Sequence, residues 1–252
     1  MVDPVKFHDH FSALATQYAQ ARPEYPPALF DWIASVLPAR DSCWEAGCGS
    51  GQASRDLARV FDRVFATDPS AAQIANANGP ENVTFAVEPG EACSLADASA
   101  DAVCVAQALH WFDLPKFFAE CGRVLRPGGV LFAWGYQDIE VDADIAAANA
   151  GFQARIRDDW APQRWFIDAA YAGFEFPFEK IEAPQFELRA EWTLPRLLGY
   201  FSSYSAVKLH RERTGEDAVA LHADAFAAAW GDPQRTRTMR WPLFVHARRK
   251  SG

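Results

Sequence analysis

From residue 42 to residue 134 the sequence alternates short apolar runs with amphipathic stretches, and this rhythm limits the fold more than any other feature. Strands are expected at 42–46, 63–68, 83–87, 101–105 and 130–134. Helices are expected at 52–60, from Pro69-Ser70 onward, and over about 114–125, where Pro127-Gly128-Gly129 breaks the last one. Strands separated by helices cannot pair as hairpins. They pair through right-handed crossovers, which makes a mainly parallel sheet with helices on both faces. The run 101–105 is almost continuously apolar, as suits a strand buried on both sides. Upstream, helices are expected at 9–20 and 28–37, the second opened by Pro26-Pro27. Beyond residue 136 the rhythm changes. Helical stretches at about 142–157 and 161–172 precede a strand near 179–188, and others at about 194–210 and 215–230 precede a last strand near 237–248. The last two strands are expected on one sheet edge, with the helical insertions as a lid over the cleft.

The chain has 252 residues, 50% of them hydrophobic, enough for one large core. It reads as a single domain, 1–252, with N-terminal capping helices in 7–37, a core in 40–136, and lid and C-terminal strands in 137–252. The net charge of −9 repels phosphate backbones, so nucleic acid is not an expected partner. Arg248-Arg249-Lys250, the one basic run, is expected as a solvated tail. The first forty residues lack the apolar run that a leader or membrane helix needs. The 5 cysteines are odd in number and form no C-x-x-C pair. Neither zinc nor a disulfide framework is expected, no metal site is assigned, and a cytoplasmic location fits. The rings of 9 tryptophans and 19 phenylalanines fall mostly beyond the first hundred residues, which suggests an apolar pocket built by the later insertions.

The strongest chemical signal is Glu45-Ala46-Gly47-Cys48-Gly49-Ser50-Gly51, alternating glycines between a strand and a helix. Such glycines let the backbone turn sharply and approach a ligand without Cβ clashes. In an open α/β sheet, ligands bind at the carboxyl ends of the strands, at the topological switch point. A dinucleotide would need G-x-G-x-x-G, but the sixth position is Gln52 counted from Gly47 and Ser54 counted from Gly49. Glu45 would also repel a pyrophosphate. S-adenosylmethionine has an ammonium and a sulfonium, so acidic neighbours favour it. Asp68, at the end of the second strand, can accept from both hydroxyls of a ribose or can cap the following helix. After the third strand, Glu88 or Glu91 can accept from an adenine amine, and a solvated turn explains both almost as well.

These segments, with Ala106-Gln107-Ala108-Leu109-His110-Trp111-Phe112 and Arg123-Val124-Leu125-Arg126-Pro127-Gly128-Gly129, resemble the class I S-adenosylmethionine-dependent methyltransferases. The closest likeness is to the small-molecule branch that includes trans-aconitate-type carboxyl methyltransferases. The match covers roughly residues 7–136, with weaker echoes at 200–205 and at Trp241-Pro242. It implies a Rossmann-like sheet of seven strands, mainly parallel, with the last strand antiparallel. By the same resemblance Glu45, Gly47, Gly49 and Gly51 hold the methionine portion of the cofactor, and Asp68 binds its ribose. Glu91 flanks the adenine, and Gln107 and Ala108 lie beside the transferring methyl. The run 18–25, with Tyr18 and Arg22, fits the family's capping helix. Trp44 departs from the usual residue before the motif.

Methyl transfer is a displacement that depends on positioning and, for a protonated acceptor, on a base. His110, just past the fourth strand, is the candidate catalytic residue, or a histidine that packs at a helix entrance. Tyr18, Arg22, Trp111, Trp134 and Tyr136 are candidate residues for a small-molecule substrate, with a surface ion pair as the other reading of Arg22. The expected activity is methyl transfer to a small molecule, with a carboxylate or other oxygen nucleophile as the candidate acceptor. The alternatives are a nicotinamide oxidoreductase and a non-catalytic S-adenosylmethionine-binding module.

Overall fold

The computed structural model describes residues 23–252. The helix expected over 9–20, together with Tyr18 and Arg22, lies outside the described residues. Eight strands form one sheet: β1 (Ser42–Ala46), β2 (Arg63–Asp68), β3 (Val83–Val87), β4 (Ala100–Ala106), β5 (Leu125–Tyr136), β6 (Glu179–Ile181), β7 (Phe186–Trp192) and β8 (Arg237–Arg249). Their order is β3-β2-β1-β4-β5-β8-β6, with β7 also on β8. Neighbours among β1 to β5 run parallel, and β8 is antiparallel to all three of its partners. Arg240 bridges Glu140 on one side and pairs with Arg189 of β7 on the other, so β6 and β7 share one edge of β8. The eight strands therefore fill the seven positions expected of the sheet. The connection reverses direction between β1 and β4, which makes the switch point there.

Alternation along the strands divides the core in two. On β5, Val130, Phe132 and Trp134 join the cluster of α1 (Pro27–Val36), α2 (Gln52–Leu57) and the insertion helices. Leu131 and Ala133 join Phe117, Cys121 and Val124 of α4 (Leu114–Val124) on the other face. Between β2 and β3 lies the short helix α3 (Ala71–Ala75), capped by the Ser70 hydroxyl. The insertions supply α5 (Ala143–Ile156), α6 (Arg164–Asp168), α7 (Leu194–Ser202), α8 (Ser205–Thr214) and α9 (Ala218–Trp230). Phe152 of α5 meets Phe201 of α7 at 4.6 Å and Phe226 of α9 at 6.2 Å between ring centroids.

Several boundaries differ from expectation for local reasons. The helix expected over 194–210 is two, α7 and α8. At the break the Ser203 hydroxyl donates to Tyr200 O at 2.6 Å, competing with the backbone ladder, and Tyr204 is extended. Only 164–168 of the stretch 161–172 is α-helical. The strand expected near 179–188 is divided into β6 and β7 around Pro184, which has no N–H to give a ladder. Pro127-Gly128-Gly129 lies inside β5, where the register with β4 shifts between Ala100 and Ala102. The basic run is no solvated tail. Lys250 Nζ donates to Gly122 O and Leu125 O, each at 2.7 Å, and so satisfies carbonyls at the end of α4. Arg249 donates to Gly128 O and Val36 O, each at 2.9 Å. Among the described residues, no helix is long and apolar enough to cross a membrane.

Candidate active site

The glycine loop leaves β1 at the switch point and is pinned to its neighbour. Gly47 N–H and Cys48 N–H both donate to Thr67 O, at 2.8 and 2.9 Å, and Gly49 N–H donates to Asp68 Oδ2 at 2.9 Å. Gly47, Gly49 and Gly51 have φ of +73°, +55° and +85°, the left-handed region that a Cβ disfavours. Around them the space differs. A Cβ on Gly47 would fall 2.5 Å from Ala108 Cβ, whereas one on Gly49 would meet nothing among the described residues nearer than Gln73 Oε1 at 4.0 Å. Trp44, unusual at its position, is fully buried on the α4 face; its indole N–H donates to Thr67 Oγ1 at 3.0 Å. Its bulk fills core beneath the loop without entering the cleft.

Two carboxylates stand at the strand ends. Glu45 is buried and accepts a short hydrogen bond from Ser54 Oγ of α2. Burial pushes its pKa up to about 8, the nearby Asp68 charge adding to this and the Ser54 hydrogen bond opposing it. Asp68 Oδ1 accepts from Ser70 N–H at 2.9 Å, but the cap of α3 itself is Ser70, so Asp68 is not the helix cap. Glu91 Oε1 accepts from Asp113 N–H at 2.8 Å, and Glu88 Oε2 from Ser94 N–H at 2.9 Å.

At the end of β4, Gln107 has φ +56°. Its side chain is committed to the backbone of Tyr136: Nε2 donates to Tyr136 O at 3.2 Å, and Oε1 accepts from Tyr136 N–H at 3.1 Å. Gly135 makes room for this, since a Cβ there would lie 2.3 Å from Gln107 Oε1. Gln107 thus clamps β4 to β5 and sets Ala108 against Gly47. The next turn, Leu109–Trp111, presents His110, whose Nδ1 lies 2.9 Å from the Tyr171 hydroxyl. Burial, with the Arg164 charge as second cause, pushes the His110 pKa down to about 3, so the ring is neutral at pH 7. A ring held in this way is a weaker base than an ordinary histidine. Trp111 is 39% exposed beside the His110 ring, at 4.9 Å between centroids.

Of the other expected substrate residues, Trp134 is fully buried between Tyr25 and Phe30, at 5.9 and 6.3 Å between centroids. It is a core ring, not a pocket wall, because its place on β5 turns it into the α1 face of the sheet. Tyr136 is largely buried, 6.3 Å from the Tyr25 ring. Sequence reasoning missed Tyr171 and Arg164, which come from the insertion and carry no motif.

A parallel sheet with a left-handed glycine loop and two acidic side chains at its switch point defines a nucleoside-binding α/β protein. The space over Gly49, and a buried Glu45 that forms no ion pair among the described residues, fit a ligand with a positively charged end. The profile of the methyltransferase domain family matches residues 44–133. A protein of Dictyostelium discoideum named as a methyltransferase is 34% identical over 207 residues, 80% of this chain and 79% of its own. A Saccharomyces cerevisiae protein named as an S-adenosylmethionine-dependent methyltransferase is 31% identical over 131 residues, 48% of this chain and 45% of its own. The solved structure of a type II methyltransferase from Anaeromyxobacter dehalogenans superposes with a TM-score of 0.87 at 44% identity, covering 92% of this chain and 99% of that one. The chain belongs to the class I S-adenosylmethionine-dependent methyltransferases. The nicotinamide and non-catalytic alternatives fall with that assignment.

Proposed function

We propose that the chain methylates a carboxylate of a small molecule. Glu45 and the loop glycines hold the amino-acid end of S-adenosylmethionine, Asp68 its ribose and Glu91 its adenine edge. Bound there, the cofactor supplies an electrophilic methyl group. The helical insertions within 142–230 act as the lid of the acceptor pocket, with Trp111 at its wall.

The observation that carries this reading is the state of His110. With its pKa down at about 3, it takes no proton from a phenol, alcohol or ammonium at neutral pH. Its hydrogen-bond partner Tyr171 is pushed in the same direction of inertness, its hydroxyl held above the usual phenol range by burial. An acceptor suited to such a site arrives already ionised, as a carboxylate does at pH 7. One carboxylate oxygen forms the bond to the methyl carbon while the carbon–sulfur bond breaks and leaves its electron pair on sulfur. The products are a methyl ester and S-adenosylhomocysteine, and no proton is transferred. His110 serves by position and hydrogen bonding.

A screen with labelled methyl donor against carboxylic acids, phenols and amines tests this. The expected product releases its label as methanol in mild alkali. Label that survives alkali, on a phenol or an amine, overturns the carboxylate reading.

A further inference from the structure

The segment that meets His110 also carries a cation. Arg164 opens α6, and its guanidinium lies over the Trp160 ring, 4.7 Å from the centroid. Its Nε donates to Asp168 Oδ1 at 2.7 Å, and its Nη2 stands 3.2 Å from Asp138 Oδ1. Among the described residues, Nη1 has neither a hydrogen bond nor an ion pair. Both ends of the segment are fixed to the sheet. Gln137 Nε2 donates to Asp168 O at 2.8 Å at the end of β5, and Tyr171 reaches His110 at the end of β4. Arg164 is thereby held across the carboxyl ends of the two strands nearest the candidate catalytic turn.

Two carboxylates flank this guanidinium, and exposure weights the three charges unequally. The Arg164 side chain is 21% exposed, whereas Asp138 and Asp168 are 44% and 46% exposed, so water weakens their field more than that of the cation. Among the described residues, Arg164 is the charge that acts on the His110 pKa, and it acts to lower it.

We propose that Arg164 is the acceptor-recognition residue of this site, its free Nη1 edge pairing with one oxygen of the acceptor carboxylate. The second oxygen is then left to attack the methyl carbon beside His110. A guanidinium suits this because its planar edge meets a carboxylate with charge-assisted hydrogen bonds in a fixed geometry. The inference rests on the carboxylate reading above.

The test uses the full-length protein saturated with S-adenosylhomocysteine, titrated by calorimetry with a panel of aliphatic and aromatic carboxylates and the primary amide of each. Acids should bind and amides should not. Arg164→Gln should weaken acid binding, and raise KM for the acid, by roughly 10- to 100-fold, the scale for losing a charged hydrogen bond. Arg164→Lys should recover part of that loss, and kcat should change far less. In Arg164→Gln the His110 titration, followed by NMR, should move upward, while S-adenosylhomocysteine affinity stays as in the parent and shows that the fold is intact. Asp138→Asn, which frees the guanidinium from one partner, should leave acid binding equal or tighter. If the parent forms methyl esters and Arg164→Gln keeps its KM, the assignment of Arg164 is overturned while the carboxylate reading stands. If the parent esterifies no acid of the panel, both fall. Loss of acceptor binding in Asp138→Asn, with Arg164→Gln unaffected, overturns the assignment in favour of a cationic acceptor.

Discussion

Gly47 and Gly49 lie in one loop with the same sign of φ, so replacing each by alanine separates backbone strain from crowding. At φ +55°, alanine in place of Gly49 bears the left-handed cost of about 1–2 kcal/mol. The stiffer unfolded chain offsets about 0.4–1 kcal/mol of it. With no atom of the described residues nearer than 4.0 Å to the new methyl, the net loss is about 0–1.5 kcal/mol. Gly47→Ala carries the same backbone term and a collision as well, because its methyl would stand 2.5 Å from Ala108 Cβ and 3.2 Å from Phe112 Cζ. Carbon atoms are at ease near 3.5–4.0 Å. Ala108 cannot retreat readily, since Gln107 beside it is clamped to Tyr136. Overpacking of this kind adds about 1–3 kcal/mol. For a chain of this size that gap corresponds to a Tm lower by roughly 2–12 °C in Gly47→Ala than in Gly49→Ala. Thermal melts of the two ligand-free variants measure it directly. Equal Tm values would refute the crowding argument and leave only the shared backbone cost.

His110→Asn should lower turnover on a carboxylate by less than about tenfold, with no limb near pH 6.5 in the rate profile; a loss of about 10²–10⁴-fold would mark a general base and contradict its depressed pKa. Stability against pH should show two opposed windows. Glu45 ionises near 4.5 when unfolded and at about 8 in the fold, so its contribution is full below about 4.5 and is lost as pH rises to about 8. His110 goes from 6.5 unfolded to about 3 folded, so its contribution is full above 6.5 and is lost as pH falls toward 3. Urea melts of the ligand-free protein should therefore be flat between these limits and decline on both sides, and Glu45→Gln should remove the decline above pH 6.5. A decline unchanged in that variant would show that the buried carboxyl is not its source.

What could be read in the chain and what could not divides along sequence separation. The glycine loop, the strands through β5 and Asp68 announce themselves through local demands: left-handed turns, alternation, a carboxylate closing a strand. The acceptor side depends on contacts that no window spans. Tyr171 meets His110 across 61 residues, and Arg164 meets Asp138 only after α5 has intervened. Neither side chain sits in a pattern, because a contact of this kind needs only that the two side chains arrive together, by whatever path. Trp134 shows the complementary error, since its position at the end of a central strand suggested the cleft. Yet its neighbours decide otherwise: Leu131 and Ala133 face α4, so Trp134 must face α1. Parity along a strand is legible and outranks proximity to the strand's end when a ring is assigned to pocket or core. The same logic puts Trp44 beneath the loop, not over it. The donor half of the reaction is thus written in short motifs, while the acceptor half, on the reading proposed above, rests on Arg164 and on the two anchors, Gln137 and Tyr171, that fix its segment.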